Sequence, residues 1–415
     1  MDQPRADIEP VAKTIAASPS TTWPITLSGF CAILVGIGLA RFAYSPLIPA
    51  LIGAGWFSAG ETAYLGAANL AGYLAGALLA ARLADAAGTP ATLRWMMLLA
   101  VATFIASAFP LDFWWYTGWR FAAGLAGGVL MVLAPSAVLT HIPQTRHGFA
   151  GGIIFAGVGL GIVLSGTLVP PLLLIGLEVT WFALAALAFL LAMLALPGWR
   201  RLTGDPQSPP AGQPRMSLRA DRRLVAILLV YALCAVGLVP HMVFLVDFVA
   251  RGLDRGIAEG ALVWVVFGAG AMLGPMLIGH LADRAGFRRM LQLGLLVLTL
   301  GVGLIAVVSD LWALILSSLL AGAFVPGTVT LVLGRVRELL AGAPQRQRAA
   351  WGYATIAFSV GQAAAAYLYA YVYASTGSAL VLFALGAGAL AAALVVDIAG
   401  DRQSASSKAH SPQGE

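Results

Sequence analysis

Leu83-Ala84-Asp85-Ala86-Ala87-Gly88 and Leu281-Ala282-Asp283-Arg284-Ala285-Gly286 are two copies of one short block, offset by 198 residues (281 against 83). The same offset pairs Gly72 with Gly270 and Gly76 with Gly274. Toward the start of each copy the register is 199, pairing Gly38 with Gly237, and further along it is 200, pairing Gly161 with Gly361. Chance alignment of two Gly-rich apolar stretches explains isolated glycine pairs, but not the shared Leu-Ala-Asp-x-x-Gly. The chain therefore reads as two similar halves in the same orientation, an arrangement found in transporters whose binding site lies where the repeats meet.

Around these blocks the sequence is overwhelmingly apolar. Hydrophobic residues make up 60% of the 415 and charged residues 10%, and the mean hydropathy is +0.88. A soluble domain carries roughly 25% charged residues, so this chain cannot cover a water-facing surface, and its outer solvent is lipid. About 20 apolar residues span a hydrocarbon core about 30 Å thick. That length criterion predicts twelve helices, near 23–48, 60–82, 91–109, 113–139, 149–174, 179–197, 223–249, 260–281, 289–308, 312–334, 350–373 and 379–397. Trp23, Trp56, Trp114, Trp115, Trp199, Trp312 and Trp351 mark their ends, where amphipathic rings favour the headgroup zone. The tyrosines in Ala366–Tyr373 alternate as in a strand, but an open sheet edge cannot face lipid, so this stretch is predicted to be helical with interfacial tyrosines.

The expected fold is thus an all-α polytopic membrane protein of twelve transmembrane helices in two pseudo-symmetric six-helix bundles. The expected organisation is a tail at 1–22, a first bundle at 23–197, a linker at 198–222, a second bundle at 223–397 and a tail at 398–415. The linker, rich in Pro, Gly and Arg, splits the helices six and six. Residues 1–20 mix acids and bases and lack the form of a cleavable signal.

Charge placement orients the bundles. Of the 24 Lys and Arg, only Arg251 and Arg255 fall in loops on one side and only Arg41 and Arg120 inside spans; the rest lie on the opposite side. The positive-inside rule makes that side cytoplasmic and puts both termini there, in a bacterial inner membrane. The pI of 9.6 reflects 24 Lys and Arg against 18 Asp and Glu, and because these charges fall in short clusters between apolar spans no nucleic-acid partner is expected. Cys31 and Cys234 sit in apolar runs, without disulfide or metal spacing. No metal or cofactor is expected, and the chain is expected to act as a monomer.

The second block extends into Gly279-His280-Leu281-Ala282-Asp283-Arg284-Ala285-Gly286-Phe287-Arg288-Arg289, which resembles the loop signature of the major facilitator superfamily; the first copy keeps its Leu, Ala, Asp and Gly but lacks the downstream arginines. Gly36–Pro49 resembles more narrowly the YbfB/YjiJ-like branch. The resemblance covers roughly 23–397. It implies that Asp85, Gly88, Asp283, Arg284, Gly286 and Arg288 form a gating latch joining the halves when the cytoplasmic side is closed. The carboxylates are expected at helix starts, where orphan N–H groups and the positive dipole end favour them. The plainer alternative is a capped loop with orienting arginines.

Ionisable residues inside spans are costly, so each is a candidate site residue. Arg41 shares a polar helical face with Gly38, Tyr44 and Ser45, and Arg120 shares one with Tyr116, Thr117, Gly124 and Gly127. Arg120 with Gly124 also resembles the superfamily's fourth-helix Arg-x-x-x-Gly motif. The resemblance implies that helices 1, 4, 7 and 10 line a central cavity. Arg41 and Arg120 would make that cavity cationic and suited to a small organic or inorganic anion, which guanidinium holds through paired hydrogen bonds. The competing reading is that both arginines snorkel to headgroups. Tyr44, Asn69, His241 and Gln362 complete the substrate-site expectation, although buried amides also bond between helices. His241, which aligns with Phe42, and Asp247 are the proton-coupling candidates. Gly157-Val158-Gly159-Leu160-Gly161 lies inside a span with no preceding strand, so it is a packing element.

The leading function is secondary active transport by alternating access, as proton-coupled symport or antiport, of a small anion. Proton-driven efflux of amphipathic compounds is the alternative. A membrane-embedded enzyme is more distant, because the five histidines are scattered and no carboxylate pair recurs at one depth. With no P-loop lysine motif, ATP-driven transport by this chain is not expected.

Overall fold

The computed structural model describes residues 19–202 and 222–409. Residues 1–18, 203–221 and 410–415 lie outside the described residues, and with them nearly all of the tail expected at 1–22, most of the linker expected at 198–222 and the end of the tail expected at 398–415. All regular structure among the described residues is helical. Among the described residues, eleven helices are long and apolar enough to cross a membrane: α1 (Thr22–Gly53), α2 (Ala59–Ala87), α3 (Thr89–Ser107), α4 (Phe113–Leu139), α5 (His147–Leu173), α6 (Leu177–Trp199), α7 (Arg222–Gly252), α8 (Gly256–Ala285), α9 (Phe287–Val307), α10 (Leu311–Leu339) and α12 (Ala379–Gly400). The remaining long helix, α11 (Pro344–Thr376, 33 residues), is less apolar. It contains the alternating tyrosines and buries Ser359 and Gln362. Apolar side chains such as Leu174 and Val307, 90% and 84% exposed, form the outer surface, as a lipid-facing protein requires.

Local chemistry sets the helix ends. At the start of α2, Ser58 Oγ accepts from the Glu61 amide (3.2 Å) and Glu61 Oε2 accepts from the Ser58 amide (2.8 Å), a reciprocal cap. At the start of α4, Asp112 accepts from the Trp115 amide (2.8 Å).

The internal repeat is expressed in the packing. In the first six helices α2 packs on α4, α4 and α6 on α3, and α5 and α6 on α1. In the last six the corresponding pairs recur: α8 on α10, α10 and α12 on α9, and α11 and α12 on α7. The contacts between the two sets are related in the same way, α5 with α8 and α2 with α11. Glycines explain the closest pairs. A Cβ at Gly72 or Gly124 would collide with backbone across the α2–α4 contact, and one at Gly270 or Gly322 would do so across α8–α10. Backbone-to-backbone approach replaces the hydrophobic drive that lipid removes. Gly161 of α5 likewise meets Gly38 of α1, so the glycine run in α5 serves packing.

Three sequence expectations need correction. Trp199 is 1% exposed, so it packs inside instead of marking an interface. Of the α11 tyrosines, Tyr367 and Tyr371 are exposed while Tyr369 and Tyr373 are buried, because one helix turn carries alternate residues to opposite sides. Asp85 and Asp283 lie in the last turns of α2 and α8, not at helix starts. Both helices outrun their apolar stretches, so a hydropathy boundary misplaces the carboxylates onto the following helix.

α1 and α7 are not continuous α-helices. α1 passes through a π-helical stretch (Leu34–Leu39) and a 3-10 stretch (Phe42–Leu47). Pro46 lacks an amide to bond and disfavours α geometry at Ser45. α7 carries π-helical stretches at Pro240–Phe244, opened by a proline, and at Phe248–Gly252. Such irregular turns are rare in helices and concentrate at functional sites.

Candidate functional site

The irregular parts of α1 and α7 face each other across a small, narrow cavity. Arg41, Tyr44, Asn69 and Arg120 line it from α1, α2 and α4; Met242 and Val243 line it from α7. Four of the six residues expected to bind substrate are therefore brought together. Among the described residues, no carboxylate lines the cavity.

Each guanidinium is stacked on aromatic rings. Arg120, 3% exposed, lies over the Tyr44 ring at 4.1 Å and donates from Nη1 to the Ala40 carbonyl (3.1 Å) in the irregular stretch of α1. Tyr44 is held in turn by its hydroxyl, which donates to the Thr62 carbonyl (2.9 Å). Asn69 donates to the backbone carbonyl of Arg120 (3.1 Å), tying α2 to α4 at the same depth. Arg41 lies 5.1 Å from both the Phe42 and the Tyr73 ring. Stacking places charge on a π face without a counter-ion. It leaves Arg41 Nη2 and Arg120 Nε buried without a hydrogen-bond partner among the described residues. Snorkelling does not describe Arg120, whose head is enclosed by protein.

Tyr73 is a site residue that sequence reasoning missed. It follows Asn69 by one helical turn, so the i, i+4 relation to a buried amide was the available signal. Met242 and Ser45 were also missed as a pair. Ser45 Oγ donates to the Met242 carbonyl (2.7 Å), joining the first half to the second in the cavity wall.

His241, Gln362 and Asp247 do not line the cavity. His241 is fully buried within the second half: Nε2 is 2.8 Å from Ser317 Oγ, and the ring stands edge-on to Phe383. Ser317 donates its own proton to the Gly301 carbonyl, so it accepts from His241 Nε2–H, and Nδ1 is left without a partner. Phe42, its partner in the repeat, instead crosses to Trp264 and Phe267 of α8. The π-helical turn beginning at Pro240 re-aims the second-half residue. Gln362 stands behind Met242, donating from Nε2 to its sulfur (3.6 Å), with Oε1 unpartnered. Asp247 is 2% exposed and fully engaged: Arg251 Nε and Nη2 donate to its two oxygens (2.6 and 3.0 Å), and the Tyr373 hydroxyl donates to Oδ2 (2.7 Å). It is a buried acid paired with a partly exposed arginine.

The two loop blocks share one backbone geometry. Gly88 (φ 79°, ψ 143°) and Gly286 (φ 85°, ψ 141°) each donate to the carbonyl four residues earlier, at 2.8 Å, and each begins the next helix. Only glycine adopts this region without strain. Asp85, Asp283, Arg284 and Arg288 are exposed at this end. Glu338 of α10, not anticipated from sequence, accepts from the Phe287 amide (3.1 Å) and pairs with Arg335 (3.2 Å).

Comparisons with known proteins follow the fold. A family model described as the uncharacterised MFS-type transporter YbfB matches residues 33–398. A chloramphenicol resistance protein of Streptomyces lividans is 27% identical over 352 residues, covering 82% of this chain and 87% of that protein. Among solved structures, that of a D-xylose-proton symporter aligns with a TM-score of 0.72 at 16% identity, covering 90% of this chain and 97% of the other.

Proposed function

This chain belongs to the major facilitator superfamily of membrane transporters, in the branch of the YbfB-type family, and on that premise we propose that it moves a small anion across the membrane by alternating access. One observation carries the reading: two guanidiniums, the buried Arg120 and the half-buried Arg41, share one cavity with no acid among its described lining residues, and each keeps a buried, unused donor. Charge of this kind is kept in a bilayer only where a ligand or a polar route uses it. Tyr44 and Asn69 position Arg120, and Gln362 lies one side chain away. In a thermal-shift screen of purified protein, small carboxylates are expected to raise the melting temperature, and Arg120→Ala to abolish the shift. If cations alone shifted it, the anion reading would fail.

Transport is driven by a proton gradient in this reading. His241 is the favoured coupling residue, because Nδ1 is free to take a proton while Nε2–H is held by Ser317. Asp247 is the weaker candidate, since Arg251 and Tyr373 already occupy it. Both termini face the cytoplasm of a bacterial inner membrane, following the positive-inside bias, and the monomer is the working unit. Asp85 and Asp283, with Gly88, Gly286, Arg284 and Arg288, then form the cytoplasmic latch. The Ser45–Met242 bond seals the outer side in the conformation described. The name of the Streptomyces relative supports a second reading, drug efflux. Saturable, proton-dependent extrusion of chloramphenicol that survives Arg120→Ala would favour it over anion transport.

A further inference from the structure

The unmet hydrogen-bonding groups around the cavity divide by sign. On the first half they are donors, Arg41 Nη2 and Arg120 Nε; behind Met242 on the second half stands an acceptor, Gln362 Oε1. A buried acceptor without a donor bears its full desolvation cost, and Gln362 is 1% exposed. Its side chain touches the Met242 thioether, which lines the cavity, through a weak 3.6 Å contact to sulfur. Methionine has three rotatable bonds and re-packs readily.

Resting on the anion reading above, we infer that the substrate is a short-chain carboxylic acid bearing an uncharged hydrogen-bond donor, a hydroxyl, at its far end. The carboxylate bridges Arg41 Nη2 and Arg120 Nε with one oxygen on each. The rings of Phe42, Tyr73 and Tyr44 cover the guanidinium faces, so edge-on donation is the contact left to them. The hydroxyl donates to Gln362 Oε1 once Met242 swings aside. An ammonium in place of the hydroxyl is disfavoured: two cations share the space, and the nearby acid, Asp247, is already bonded to Arg251 and Tyr373. In the conformation described the cavity has room for little more than a water molecule, so the acid is one of few heavy atoms and is admitted as Met242 moves.

The test is equilibrium binding to the purified full-length protein in detergent. ω-Hydroxy acids of about three to six carbons are compared with their unsubstituted parents and with the matching ω-amino acids. At one chain length the hydroxy acid is expected to bind about tenfold tighter than its parent, and the amino acid more weakly than the parent. In Gln362→Met that advantage falls to about onefold while the parent acid binds as in the wild type, which also reports intact folding. Met242→Phe, which leaves Gln362 in place and thickens the wall, is expected to lose the same advantage. A hydroxyl that gives no advantage at any length, or one whose advantage persists in both variants, overturns the inference while leaving anion transport standing. If no carboxylate of any kind binds the wild type, the anion reading falls and this inference with it.

Discussion

At the residue scale, hydrogen-bond geometry matters more than the bare presence of charge. Arg120 is stacked on Tyr44, bonded to Ala40 through Nη1 and left with its buried Nε–H open. Lysine keeps the charge but has neither the planar face nor the forked donors. Arg120→Lys is therefore expected to weaken anion binding at least tenfold in a direct titration, although the cavity stays cationic. The Asp247–Arg251 pair supports a second prediction, because its members differ in exposure: the Asp247 side chain is 3% exposed and that of Arg251 is 34%. Removing the arginine strands a buried carboxylate; removing the acid strands a cation that water partly reaches. Arg251→Ala is expected to cost about 3 kcal/mol of stability, and Asp247→Asn clearly less, as read from detergent melting curves. Equal losses would mean that burial does not decide the pair's worth.

At the element scale, glycines set how closely helices approach and where they stop. Gly124 lets α4 lie against the α2 backbone at Asn69, and Gly322 does the same for α10 against Phe267. Gly124→Leu is expected to force these helices apart, costing about 3 kcal/mol and lowering the melting temperature, and Gly322→Leu to match it. At the helix breaks, Gly88 and Gly286 have nearly the same backbone angles. Alanine at either is expected to destabilise by about 1–3 kcal/mol, alike within error; unequal losses would show that the two loops are not equivalent. The repeat was legible in sequence because these contacts tolerate no other residue. The π-helical and 3-10 stretches of α1 and α7 were not, since apolar runs of the right length read as straight helices. Their positions depend on what each backbone packs against.

At the scale of the whole molecule, the halves meet along α5–α8 and α2–α11 and are pinned in the cavity wall by Ser45 and the Met242 carbonyl. Losing one neutral hydrogen bond is worth about 1 kcal/mol, or about fivefold in a two-state equilibrium. Ser45→Ala is thus expected to raise about fivefold the alkylation rate of a cysteine placed at Val243, probed from the outer face. An unchanged rate would show that this bond does not hold the halves closed. By itself the sequence determined the helical membrane architecture, the two-half repeat, the family and the arginines worth watching, because lipid permits little charge and backbone contacts demand glycine. Only the tertiary structure decided that Arg41 and Arg120 share a cavity, that Met242 lines it and Tyr73 stacks on Arg41, and that His241 and Asp247 turn away. Which residues face one another depends on irregular turns and on packing between helices far apart in the chain, and hydropathy carries no record of either.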